Sequence, residues 1–549
     1  MTAMAGVPSR YLPVLPWQDA TGTNGMLAIA ALEMEEERLS LRAYEVASEM
    51  IDEMEAKGDY PIASKFRELF DYADDVRLGP SSRAILDAAS ERSIPFYRLT
   101  SGSLCQLGEG RWQRRIWTAE TDATSAIAES IASDKDLTKR LLRHVGVPIP
   151  IGRMVTDPDD AWSAAQEVGF PVVVKPRNAN HQRGISIELT ERDEIHRAYH
   201  WAIEDGQTQD VMVEQYARGQ HHRLLVVGGR MVAASRGHVE TVTGDGIHTV
   251  EQLIDEVNRD PLRGEAYTDP LSIIKMVAAT HIELAKQGLA ADSVPETGRV
   301  VLIHRTGDLT TDCTEEVHPE TARQAVLAAR VVGLDIAGLD VLAEDIRQPL
   351  ASQRGAIVEV NAGPSLSPHV APLFGKPQPV GRAIIDLLFP SDLSACVPIV
   401  CFVASHGTDA ISLLNAWRQR ATAAGAVAGA VEEDGVRVGE EWIPLPEASV
   451  PQRVRALLTH PFVDTIAISC SLQAFARQAC PVPRIDRLIL VPTQENTELW
   501  FHCEDAWRTL GHAIHSQTEI EWNNTPSILR DSIEDVWRRT STLSHLPRG

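Results

Sequence analysis

Phe170-Pro171-Val172-Val173-Val174-Lys175-Pro176 sets three β-branched residues between two prolines and ends them on a lysine. Such a run reads as a buried strand that carries an ammonium group to its end. The loop after it, Asn178-Ala179-Asn180-His181-Gln182-Arg183-Gly184, is polar and cationic and suited to folding over an anion. Working outward, Val211-Met212-Val213-Glu214-Gln215-Tyr216 reads as a second strand, whose end offers its backbone and the Glu214 carboxylate to a nucleotide base or sugar. Gly338-Leu339-Asp340-Val341 is followed, nineteen residues after Asp340, by Glu359-Val360-Asn361.

Glu359 and Asn361 face one side of a strand, because side chains repeat every two residues. A neighbouring strand bearing Asp340 would complete a set of hard oxygen donors for Mg²⁺, which takes one or two carboxylates together with substrate phosphates. Read alone, the same residues equally describe an aspartate closing a turn beside an edge strand with polar decoration. A lysine at a strand end is commonly just an edge residue. The functional reading rests on these elements occurring together and in this order.

Composition narrows the field. The chain has 549 residues, enough for two to four domains with separate cores. Its net charge of −24 opposes binding to phosphate backbones and anionic bilayers, so neither nucleic acid nor membrane is expected as a partner. No run approaches the ~18 apolar residues of a membrane span, and the first residues lack the basic-then-apolar layout of a signal peptide. Seven scattered cysteines without a CxxC pair imply reduced thiols in a cytoplasm. Only eight of the 52 basic residues are lysines, and three of those, Lys135, Lys139 and Lys175, fall between 135 and 175. An arginine-rich chain keeps lysine mainly by accident or where the chemistry wants a compact ammonium.

Helical periodicity predicts a long amphipathic helix over 28–57, a second over 61–76 and a third over 83–92 capped by Ser81 and Ser82. Residues 1–95 thus read as a small, mainly helical domain. Thr21-Gly22-Thr23-Asn24-Gly25 has the look of a phosphate loop, but Met26 stands where the lysine belongs, and a chance match is the better reading. From 96 to 390, β-rich runs at 172–174, 211–213, 224–227, 300–303 and 357–360 alternate with helices. The helices are expected over 134–144 (capped by Ser133), 159–168, 249–258, 270–287 and 319–332, giving an α+β or α/β domain. From 391 to 549 the chain opens with a buried strand at 397–403, a loop Ala404-Ser405-His406-Gly407-Thr408-Asp409 and a helix over 410–424. That order begins a nucleotide-binding α/β unit.

The strand lysine, the Glu214 strand and the Asp340/Glu359/Asn361 pair together resemble the ATP-grasp fold, in which ATP lies between two α+β subdomains. Longer motifs sharpen the likeness. Ala132-Ser133-Asp134-Lys135-Asp136-Leu137-Thr138-Lys139, Gly244-Asp245-Gly246-Ile247-His248-Thr249, Val331-Val332-Gly333-Leu334-Asp335-Ile336-Ala337-Gly338 and Glu359-Val360-Asn361-Ala362 are similar to the ATP-grasp domain of the cyanophycin synthetase family. The similarity runs from about 78 to 390. That family builds a polymer with an aspartate backbone and arginine on each side chain; its ATP-grasp domain converts the terminal carboxylate to an acyl phosphate that an amine attacks. The resemblance implies that Lys135 and Lys175 contact ATP phosphates and that Glu214 lies at the adenine-side hinge. It implies that Asp340, Glu359 and Asn361 hold Mg²⁺, and that the loop with Asn180, His181 and Arg183 covers the phosphates. Arg223 is a candidate for a further anion contact, or an arginine that simply faces outward.

The sequence also departs from the family. The end of the chain resembles the Mur ligase-like domain, whose phosphate loop reads T-G-T-N-G-K-T. Here Thr408 replaces the lysine and Asp409 the metal-binding hydroxyl, so that second ATP site is expected to be dead. This domain and the N-terminal one are both shorter than in the family, a pattern that resembles its smaller form, cyanophycin synthetase 2, which polymerises β-aspartyl-arginine dipeptides. On the substrate side, the family's P-G-L-R is Pro364-Ser365-Leu366-Ser367, and His221 stands where an acid is usual. The expected function is an ATP- and Mg²⁺-dependent carboxylate–amine ligase, a homo-oligomer joining an amino acid or dipeptide to a peptide acceptor. The alternatives are a ligase for a different short isopeptide and a non-catalytic partner of a full-length synthetase.

Overall fold

Val172, Val174, Val211 and Val213 are fully buried, and their strands, Val172–Pro176 and Val211–Gln215, pair antiparallel. The structure, a computed structural model of the chain, describes residues 15–17, 27–29, 37–57, 61–177, 184–206, 208–265, 269, 271–304, 307–390, 395–404, 411–432, 434–471, 482, 484–491 and 514–522. Gly152–Val155 and Ser186–Leu189 complete a four-stranded sheet around the valine pair. Helices Pro158–Val168 and Arg192–Gly206 lie on its valine face, where Ala161, Ala165, Ile195 and Ala202 join the same core. Strand alternation sends Lys175 and Glu214 to the opposite face.

A second, five-stranded sheet is antiparallel throughout, in the order Leu309–Asp312, Arg230–Gly237, Gln220–Val227, Ile336–Ala343, Ala356–Asn361. One face packs Leu224, Leu339, Val341 and Val360 against helices that include Ala126–Ser133 and Pro319–Val332. On the other face, Leu225, Val227 and Ile336 meet helices Pro80–Glu91 and Val380–Leu388. The Pro80–Glu91 helix, on the N-terminal side of the 95/96 boundary expected from sequence, thus shares its core with the central sheet. Between Arg230–Gly237 and Leu309–Asp312 the chain inserts a lobe with its own small core, including Val242, Val250, Leu284 and Ile303.

Residues 96–121 form a four-stranded sheet that joins this unit to the C-terminal one. Cys105, Leu107 and Ile116 enter the core beside Leu225, whereas Tyr97 and Trp112 pack on the C-terminal core around Val397 and Leu457. That C-terminal unit is a seven-stranded sheet whose parallel part runs Ala428–Glu432, Thr465–Ser471, Ile399–Ala404, Ile485–Val491, Ile514–Trp522. Helix Ile411–Ala423 follows; residues 405–409, expected from sequence to be an altered phosphate loop, lie outside the described residues, as do 21–25. No helix among the described residues is long and apolar enough to cross a membrane.

Several local expectations need correction. The helix expected over 270–287 is only Ala278–Lys286, and Leu271–Ser272 pairs as a short strand with Arg263–Gly264. Asn258 clamps both backbone groups of Ile274, accepting from its N–H and donating to its carbonyl at 2.9 Å each, which holds 271–274 extended. The third helix begins at Pro80, not 83, with Gly79 as its N-cap. Ser81 is therefore inside it, and its Oγ accepts from the Leu366 N–H at 2.9 Å instead of capping. Ser133 ends one helix; Asp134 caps the next, Lys135–His144, by accepting from the Leu137 N–H at 3.0 Å, since a carboxylate suits a helix N-terminus. The first long helix is Glu37–Lys57, and Leu27–Ile29 is instead a strand paired with Leu15–Trp17.

The junction with the C-terminal unit is polar and buried. Glu109, fully buried, accepts from Arg484 Nη1 at 2.9 and 3.0 Å, from the Tyr97 hydroxyl at 3.0 Å and from the Val397 N–H at 3.2 Å. Removing one partner of a buried pair strands the other charge. Glu109→Gln should therefore lower stability by about 3 kcal/mol, read as the midpoint of urea unfolding. An unchanged midpoint would show that the junction does not hold the two units together.

Candidate active site

The register of the central sheet lines up one residue from each of its five strands. Asp312 pairs with Ser235, Ser235 with Arg223, Arg223 with Asp340, and Asp340 with Glu359. Directly paired residues point to the same side, so these five form a polar row on the face opposite Leu224, Leu339 and Val341. Arg223 stands at its centre, and Asp340 beside it is 6% exposed. Its Oδ1 accepts from Arg223 Nε at 2.5 Å and from His221 Nε2 at 3.0 Å; its Oδ2 accepts from Arg223 Nη2 and Asn361 Nδ2, both at 3.2 Å. Burial pushes the carboxyl up, but the His221 hydrogen bond and the Arg223 charge outweigh it and hold it below the usual aspartate range.

One end of the row meets the four-stranded sheet and the Lys135–His144 helix. Lys135 Nζ is 3.3 Å from Glu359 Oε1. Lys139, one helical turn on, reaches Glu214 Oε1, and Lys175 Nζ lies 2.6 Å from Glu214 Oε2. Glu214 is 3% exposed, and the two lysines overcome its burial and bring its carboxyl down to about 2. Room for that side chain comes from Gly152, its cross-strand partner, where a Cβ would stand 2.5 Å from Glu214 Cγ. At the other end of the row, Ser235 Oγ donates to the Pro368 carbonyl at 2.9 Å and accepts from His369 Nδ1 at 3.0 Å. Burial, followed by the nearby Arg223 charge, lowers the His369 imidazole to about 4, so the ring is neutral.

Of the residues singled out in the sequence, the fold brings together Lys135, Lys175, Glu214, Arg223, Asp340, Glu359 and Asn361. Asn180, His181 and Arg183 lie outside the described residues. Glu214 turns inward, both oxygens taken by lysines, so its carboxylate does not present itself to a nucleotide base. Arg223 does not face outward; it is the cation of the row. Lys139 was missed as a site residue, although its i,i+4 spacing from Lys135 on one helix was a signal for it. His221, read from sequence only as a replaced acid, is a donor to Asp340. An acid there would repel it.

The oxygens of Asp340, Glu359 and Asn361 share one side of two paired strands, and that donor set suits a hard divalent ion bound jointly with phosphates. Asn361 spends its amide N–H on Asp340, which leaves its carbonyl oxygen able to accept or ligate.

A model described as an ATP-grasp domain matches residues 128–232, the segment that carries Lys135, Lys139, Lys175, Glu214 and Arg223. The cyanophycin synthetase of Crocosphaera subtropica is 36% identical over 75% of this chain and 48% of its own length. That of Geminocystis herdmanii is 34% identical over 79% and 50%. The chain is thus similar to cyanophycin synthetases over three quarters or more of its own length. It spans about half the length of the curated cyanophycin synthetases it matches. Among solved structures, a bifunctional glutathione synthetase from Pasteurella multocida is similar at 25% identity over 60% of this chain and 46% of that one, with a TM-score of 0.44.

Because Arg223 and Asp340 are mutual neighbours with little solvent, Asp340→Asn should destabilise the protein by about 3 kcal/mol, measured by chemical denaturation. Glu359, a third exposed, should tolerate Gln with a change under ~1 kcal/mol. Equal losses in both variants would mean that the buried Arg223–Asp340 pair matters no more to stability than the more exposed Glu359.

Proposed function

We propose that the chain is an ATP- and Mg²⁺-dependent carboxylate–amine ligase, working through an acyl phosphate. Its proposed substrates are the terminal carboxylate of an aspartate-backbone peptide and the amine of β-aspartyl-arginine. The observation that carries this reading is the meeting of Lys135, Lys139, Lys175 and Glu214 with the Arg223–Asp340–Glu359 row. Cations for a polyphosphate and oxygens for a divalent ion lie side by side there. Phosphoryl transfer to a carboxylate demands charge neutralisation and alignment more than covalent help.

In the first step a carboxylate oxygen attacks the γ-phosphorus and ADP leaves. In the second, the amine nitrogen attacks the acyl carbon, phosphate leaves, and the amine gives up a proton. Lys135 and Lys175 are assigned to the phosphates, and Arg223 to the charge that develops on the reacting acyl oxygen. Asp340, Glu359 and Asn361 would hold Mg²⁺, which when bound neutralises the phosphate oxygens. The enzyme is proposed to act in the cytoplasm as a homo-oligomer, without nucleic acid or membrane.

Thr408 and Asp409 support a single ATP site, because a carboxylate in place of the hydroxyl repels phosphate and the lysine is lost. A second reading, a ligase for a different short isopeptide, is favoured by Ser367 and His221. The first removes an arginine that could pair with a substrate carboxylate; the second replaces an acid.

Three measurements test these assignments. Lys175→Met should lower turnover at least ~10²-fold, and full activity would move the ATP site elsewhere. Glu359→Gln should remove Mg²⁺-dependent phosphate release while the protein stays folded. Given primer and ATP, the enzyme should extend with β-aspartyl-arginine and not with free aspartate plus arginine. Arginine incorporation from the free amino acid would overturn the single-site reading, whereas silence with both, in a screen where another amine stimulates phosphate release, selects the different isopeptide.

A further inference from the structure

Around Glu214 the charges do not balance. Two ammonium groups, Lys139 and Lys175, share its one carboxylate. The neighbouring cation, Lys135, already has its own counter-charge in Glu359 at 3.3 Å. The group therefore carries one positive charge more than its carboxylates can match, in a place where burial makes an unmatched charge costly. The two lysines are not equivalent. Lys139 is deep, 6% exposed, and burial followed by repulsion from Lys175 pulls it down to about 8. Lys175 is one-fifth exposed, at the end of its strand, and Glu214 offsets its burial and raises it.

This inference rests on the assignment of Lys175 to ATP phosphate. We propose that Lys139 is a positioning residue that neutralises Glu214 from behind, so that the Lys175 ammonium keeps a net charge to offer to a polyphosphate. Without Lys139, Glu214 and Lys175 close into a neutral pair at 2.6 Å, and a phosphate has to compete with the carboxylate for the ammonium. The excess charge is thus a device for holding an anion, and the anion is what completes the balance.

The test is nucleotide affinity, measured by titration calorimetry with ATP on the full chain, with far-UV dichroism to confirm folding. Lys139→Met should weaken ATP binding at least tenfold, whereas Lys139→Arg should stay within about threefold of the parent. The deciding variant is Lys139→Met combined with Glu214→Gln. It removes one charge of each sign, restores the original net charge beside Lys175, and should bind ATP more tightly than Lys139→Met alone. A double variant no better than the single one overturns the inference, as does a folded Lys139→Met protein with parental affinity. If Lys175→Met itself binds ATP like the parent, the assignment of the ATP site fails as well. If Lys175→Met loses binding while Lys139→Met keeps it, only the role of Lys139 falls.

Discussion

Arg223 against Asp340 fixes the site. These residues face each other on the two innermost pairing strands of the central sheet, and their contact sets the register from which the other members of the row follow. A slip of one residue would turn Arg223 into the apolar core and bring Leu224 out to the polar row. A buried carboxylate that accepts four hydrogen bonds, from Arg223, His221 and Asn361, makes such a slip costly. The same contact therefore specifies the fold and aims the chemistry.

Around that row the two halves of the cleft differ in how their charge is handled. On the side of Lys135, Lys139 and Lys175, lysines outnumber the carboxylates that hold them. On the far side, Ser235 and a neutral His369 lead to the Asp312 carboxylate, which ends the row and accepts from Thr314 and Gln378. The row therefore runs from a lysine-rich end to a carboxylate, so the charge along it is directional. His221 donates to Asp340, beside the carboxylates of the row.

The C-terminal unit belongs to the same structural problem. Its sheet is mostly parallel, and Thr408 and Asp409 in the loop after its first strand do not suit a phosphate. The 96–121 sheet, however, places apolar residues in both the central and the C-terminal cores, and the Glu109–Arg484 pair is buried between them. Whatever the loop does, this unit is the other half of a hydrophobic interface, without which Tyr97, Trp112 and a buried carboxylate would be exposed.

Alternation and spacing were enough to mark strand runs at 172–174, 211–213 and 357–360, and to place Glu359 and Asn361 on one side, because period two is a local property of the backbone. The motifs from 132 to 362 likewise carried the family and the candidates Lys135, Lys175, Arg223 and Asp340. Helix starts were less legible: proline at 80 and aspartate at 134 outcompeted the neighbouring serines, and Asn258 pulled 271–274 out of a helical pattern from sixteen residues away. The inward turn of Glu214, its sharing between Lys139 and Lys175, the Asp340–His221 bond and the Glu109–Arg484 junction were decided only by tertiary structure. Each depends on which charges meet after burial, and a buried charge takes its partner from whatever the fold brings within hydrogen-bond reach, not from its neighbours along the chain.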